Sequence, residues 1–120
     1  MIHGFVDDVG VPMIPLRIAD SDLFGIVDSG FNGDLELPDK LRETTPAQYQ
    51  GTLKSHLAGG QTITEHWYLI EMQFDEQWVE VVTTFAPTEM ALVGTRLMQD
   101  HYLQIDFVHR TVTLKRTQID

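Results

Sequence analysis

The chain has 120 residues, enough for one domain with a core of its own, and its 42% hydrophobic and 22% charged residues are ordinary for a globular protein. It has no cysteine, which excludes disulfides, thiolate metal sites and a cysteine nucleophile. Eight Lys and Arg stand against 18 Asp and Glu, a formal charge of −10, so a phosphate backbone or an anionic membrane surface is repelled. No apolar run is long enough to span a bilayer, and Met1–Asp8 carries neither the basic region nor the apolar stretch of a signal peptide. The expectation is a cytoplasmic protein with no nucleic-acid or membrane partner.

The dominant pattern has a period of two. Ile2–Val6 and Val11–Ile18 are β-prone and are joined by the turn residues Asp7-Asp8-Val9-Gly10. Pro12 and Pro15 cannot donate to a ladder, so the second run is expected at an edge or a bulge. Leu23–Val27 is a short apolar run that stops at Asp28-Ser29-Gly30. Leu35 and Leu37 alternate with acids up to Pro38. Residues 38–50 hold the most helix-like stretch, one or two turns at 39–43 interrupted by Thr44-Thr45-Pro46. Gly51–Leu57 is extended, Ala58-Gly59-Gly60-Gln61 turns, and Ile63–Phe74 is a long β-prone run. Asp75-Glu76-Gln77 turns the chain back into Trp78–Phe85. Met90–Val93 is apolar and ends at Gly94, and residues 95–100 suggest a short helix. A last hairpin joins Tyr102–Val108 to Thr111–Lys115 about His109-Arg110. The pattern predicts an all-β domain over residues 1–120: a small closed barrel, or a sandwich-like one, of short antiparallel strands with one or two short helices.

The most informative segment is Gly25 to Pro38. An apolar strand, Ile26-Val27, delivers the carboxylate of Asp28, and the chain then turns sharply at Gly30. A short carboxylate beside a buried strand must be hydrogen-bonded or protonated, and Ser29 and the Gly30 N–H are its nearest partners. Taken alone, Asp-Ser-Gly also reads as an ordinary β-turn.

Five segments in order carry a resemblance. They are Asp28-Ser29-Gly30-Phe31, Gly33-Asp34-Leu35-Glu36-Leu37-Pro38, Leu57-Ala58-Gly59-Gly60, Leu92-Val93-Gly94 and Leu103-Gln104-Ile105-Asp106-Phe107. The layout resembles the retropepsin-like (clan AA) aspartic proteases, most closely their small single-lobed prokaryotic type. The chain departs from that pattern in three places. Serine follows the aspartate where threonine is commoner, the turn at Ala58-Gly59-Gly60 lacks an aspartate, and Thr95-Arg96 stands where relatives carry an apolar residue and then an acid.

The resemblance implies an aspartic endopeptidase with Asp28 as the catalytic group. One Asp-Ser-Gly per chain implies a homodimer in which each copy gives one aspartate to a shared water-activating pair. It implies that Ser29 and Gly30 support the active-site loop, that Leu57, Ala58, Gly59 and Gly60 form a flap, and that Leu92, Val93 and Gly94 buttress the loop from below. The implied partners are a second copy and an extended peptide substrate, with no cofactor and no metal. Phe31, Leu57 and Ile63 are candidate pocket walls. The competing constellations are thin. His3, His56, His66, His101 and His109 show no metal-ligand spacing, and no Gly-x-Ser-x-Gly elbow occurs. A second function class stays open: a catalytically inactive module of the same fold that binds peptides or dimerises.

Overall fold

The computed structural model describes residues 1–117. Ten strands follow one another: β1 (Ile2–Val6), β2 (Pro12–Ile18), β3 (Ser21–Val27), β4 (Leu35–Pro38), β5 (Gln48–His56), β6 (Thr62–Phe74), β7 (Gln77–Ala86), β8 (Ala91–Val93), β9 (His101–Asp106) and β10 (Thr111–Arg116). They form one sheet in the order β5-β6-β7-β4-β8-β3-β2-β1-β10-β9. The all-β expectation and most strand positions hold. The barrel is not closed, because β5 and β9 end the sheet without pairing to each other. The sheet instead curls until β2 packs on β6.

Two pairings are parallel, β3 with β8 and β4 with β7, where only antiparallel hairpins were expected. They arise because the chain leaves β3 at Asp28 and re-enters as β4 on the far side of β8. The predicted helical stretch after Pro38 shrinks to a single 3₁₀ turn, Asp39–Leu41, and β5 begins at Gln48. Thr44 and Pro46 leave too few residues to nucleate a longer helix. Residues 95–100 make turns rather than a helix. β2 is an interior strand despite its prolines. Its ladder with β1 covers only Met13 and Pro12, opposite Phe5 and Val6, so Pro15 lies beyond that ladder.

Turn chemistry fixes the first hairpin. Asp7 Oδ1 accepts the N–H groups of Val9 and Val11 at 3.0 and 2.9 Å, and Gly10 takes the positive φ of 90° that closes the turn. The core gathers Ile14, Leu16, Leu35, Leu37, Ile70, Met72, Val81, Val93, Val112 and Leu114, all 5% exposed or less. Alternation along each strand puts these side chains on one face and leaves the other face open.

Candidate active site

Directly opposed residues in neighbouring strands point to the same side of a sheet. Val27, Val93, Leu35 and Thr83 are register partners across β3, β8, β4 and β7, and all four are buried against the core. The adjacent row, Ile26, Leu92 and Glu36, therefore faces the other way and is half-buried. Asp28 lies two residues beyond Ile26, on that same open face.

The Asp28 loop is held mainly by main chain. The Asp28 N–H donates to the Val93 carbonyl at 3.0 Å, and the Phe31 N–H donates to the Asp28 carbonyl at 3.2 Å. Asp28 Oδ1 accepts the Gly30 N–H at 2.9 Å. On the far side of the loop, Gly94, Thr95 and Arg96 donate their N–H groups to the carbonyls of Asp34, Phe31 and Gly33 at 2.9, 2.8 and 3.2 Å. The two segments lie so close that a Cβ on Gly94 would stand 2.0 Å from the Gly33 carbonyl oxygen. That closeness is the physical reason for glycine at position 94. Leu92-Val93-Gly94 thus lies against the Asp28 loop, with Val93 and Gly94 bonding it through their backbone. Ser29 and Gly30 are exposed at its outer turn.

Leu57, Ala58, Gly59 and Gly60 form the exposed tip of the β5–β6 hairpin. Its bonds are internal: the Leu57 N–H to the Gln61 carbonyl at 2.7 Å and the Gly60 N–H to the Leu57 carbonyl at 2.9 Å. Of the candidate wall residues, Phe31 lies against Gly33, where a Cβ would meet its ring at 2.7 Å. Leu57, at the tip, and Ile63, on the β6 arm, are 42% and 40% exposed.

Two acids carry more of this region than their motif positions suggested. Asp34 is 8% exposed. Its Oδ2 accepts the Val82 N–H at 2.9 Å, and Arg96 Nε stands 3.9 Å from its Oδ1. The basic residue at 96, which departed from the expected pattern, is therefore matched within the same loop system. Glu36 is the second. Burial, then the nearby charges of Glu65 and Asp28, raise its pKa above the ordinary carboxylate range. The alternation Leu35-Glu36-Leu37 already assigned Glu36 to the face opposite the core. What the alternation lacked was the register that sets it beside Leu92.

No family model matches the sequence, and no curated protein matches it. Solved structures do match. A retropepsin-like aspartic protease from Rickettsia conorii superposes with a TM-score of 0.69 at 14% identity, over 95% of this chain and 89% of that one. A simian foamy virus protease gives a TM-score of 0.57 at 16% identity, over 72% of this chain and 91% of that one. The foamy viral protease-reverse transcriptase gives 0.60 at 17% identity, over 80% of this chain and 13% of that much longer one. The fold is retropepsin-like.

Among the described residues, no three His, Asp or Glu side chains gather as a metal-ligand group. His66 Nδ1 pairs with the Tyr49 hydroxyl at 2.8 Å, and His109 Nδ1 with Asp106 Oδ2 at 2.7 Å, which lowers the Asp106 pKa. His101 is buried beside Asp75, with Nε2 3.2 Å from Oδ2. The Met1 amino group and then His101 hold the Asp75 carboxylate below its usual range. A concavity of about 860 Å³ lies between Arg17, Ala47, Leu69, Met72 and Trp78. A smaller one of about 320 Å³ lies between Asp34, Arg96, His101 and Arg116. Neither includes Asp28. No helix among the described residues is long and apolar enough to cross a membrane.

Proposed function

We propose that the protein is an aspartic endopeptidase acting as a homodimer, with Asp28 of each copy in one shared catalytic pair. The observation that carries this reading is the placement of Asp28. It ends an interior strand, its backbone is bonded to Val93, one carboxylate oxygen is held by the Gly30 N–H, and the group stays open on the face away from the core. The buried Asp34 differs: one of its oxygens accepts the Val82 N–H and the other faces Arg96. A second copy laid on this face would bring its own Asp28 to complete the pair.

The chemistry follows from charge. Two carboxylates about 3 Å apart repel by roughly 5 kcal/mol at an effective dielectric near 20. The pair therefore keeps one proton near neutral pH, and its titration steps belong to both groups together. The protonated Asp28 donates to the scissile carbonyl oxygen, and its mate takes a proton from the water that attacks the carbonyl carbon. The tetrahedral intermediate then collapses: the C–N bond breaks, the departing amine takes a proton from the pair, and one hydroxyl of the intermediate returns a proton to the pair as it becomes the carbonyl of the new acid. Ser29 would tie the two loops together through hydroxyl-to-backbone bonds across the dimer axis. Leu57–Gly60 would close over an extended peptide and exclude water.

The test is Asp28→Asn. The variant should fold with unchanged circular dichroism and lose peptide cleavage by at least about a thousandfold, as expected when a residue of the reacting unit is removed. Cleavage that survives the substitution sinks the peptidase reading. Peptide binding without cleavage in the wild-type protein would instead identify an inactive binding module.

A further inference from the structure

The open face beside Asp28 is not uniformly apolar. Ile26 and Leu92 continue across the sheet into Glu36, whose register partner on the next strand is Thr84. β4 is an interior strand, so its backbone fixes the direction in which Glu36 points. Glu36 is half-buried there, and no hydrogen bond or ion pair reaches its carboxylate from the described residues. Its charged neighbours, Asp28 and Glu65, are both acids. Glu65 comes from β6, an arm of the flap hairpin, so the carboxylate is flanked from the floor and from the flap side. Three basic side chains of the segments around β4 and β8 are paired elsewhere: Arg96 with Asp34, Arg42 with Asp39, and Lys40 with Glu89. A half-desolvated carboxylate without a cation is costly, and a cation brought by a ligand would relieve that cost.

We propose that Glu36, assisted by Glu65, is a specificity-determining residue that selects peptides with a lysine or arginine close to the cleaved bond. This rests on the reading of Asp28 as the catalytic group: Glu36 lies in the same half-buried row as Ile26, the residue of β3 that leads into Asp28, two strands away across β8. The substrate class is thus basic peptides. The chain's charge of −10 assists their approach without supplying the position-specific choice.

The test uses the full chain and two labelled peptide pools. The pools are identical except for lysine or its uncharged counterpart norleucine at one fixed position. Cut sites in the lysine pool, read by mass spectrometry, should cluster within roughly two residues of the lysine. The ratio of kcat/KM for the lysine pool over the norleucine pool should fall about tenfold in Glu36→Gln and further in Glu36→Lys. Cut sites scattered without regard to lysine, or a ratio that Glu36→Gln leaves unmoved, overturn the proposal. Fluorescence anisotropy with the same pools on Asp28→Asn separates the two claims. If the wild-type protein cuts neither pool but Asp28→Asn binds lysine peptides in a Glu36-dependent way, the peptidase reading fails and the selectivity stands. If it cuts neither pool and binding shows no Glu36 dependence, both fail.

Discussion

The Asp28 loop and the β5–β6 hairpin tip are built in opposite ways. The loop is bonded at both ends to another segment, with the Val93 carbonyl on one side and the N–H groups of Gly94, Thr95 and Arg96 on the other. It is also pinned through the Asp34 carboxylate to the Val82 N–H. The hairpin tip is exposed throughout and bonds only to itself. Local opening is cheap where few contacts and few buried bonds resist it, and expensive where many do. The difference fits the proposed function: a catalytic carboxylate that had to meet its mate within hydrogen-bonding reach would need the first kind of support, and a flap that admitted a peptide the second.

The contrast is sharpest at two glycines. Gly94→Ala would push a methyl group into the Gly33 carbonyl, so it should cost more than about 3 kcal/mol or prevent folding. Gly59→Ala at the hairpin tip meets nothing within 4 Å and should change stability by less than about 0.5 kcal/mol. Urea denaturation of the two variants decides the matter, and equal effects would break the contrast.

Asp34→Asn should come next in size. It keeps the shape but weakens the bond to the Val82 N–H and removes the charge facing Arg96, for a loss of about 1–3 kcal/mol. Hydrogen exchange should show faster exchange of the amides of residues 82 and 94–96, with those of residues 57–60 unaffected. Uniform acceleration would mean that the loop is not a separate structural unit.

Glu36 gives a small effect, but one with a definite sign. Its folded pKa lies above the unfolded value, so the native chain retains the proton longer than the unfolded chain does. Stability is therefore fullest below the ordinary carboxylate range and declines as pH rises through the raised value. Glu36→Gln should remove that decline and leave the protein slightly more stable at neutral pH, by under about 1 kcal/mol because water screens a half-exposed group. Parallel thermal melts across pH 4 to 8 would show it. A variant that keeps the wild-type slope would place the titration elsewhere.

Much of the architecture was legible because alternation and turn chemistry are local. Asp7 with Gly10, and the Asp75-Glu76 pair with its positive φ angles, marked hairpins that the fold uses. The parallel pairings of β3 with β8 and β4 with β7 were not legible, since nothing in either short apolar run states its partner across a long loop. The same missing information kept the sheet's open ends hidden. At the site, the strand-to-glycine turn at Asp28 stood out, as did the apolar run before Gly94. The pairing of Asp34 with Arg96 and the position of Glu36 beside Leu92 both depend on register between distant strands. Arg96 was the available clue: a cation placed where an acid was expected calls for a buried acid nearby.

The most direct measurement mixes subunits. Wild-type protein and Asp28→Asn are combined in equal amounts, exchanged to equilibrium, and assayed for cleavage of a basic peptide. If two Asp28 carboxylates must share one proton across a symmetric interface, only dimers with both aspartates act, and activity should fall to about one quarter of that of wild-type protein at the same total concentration. A fall to only about one half would mean that each chain works alone, and would contradict the shared pair.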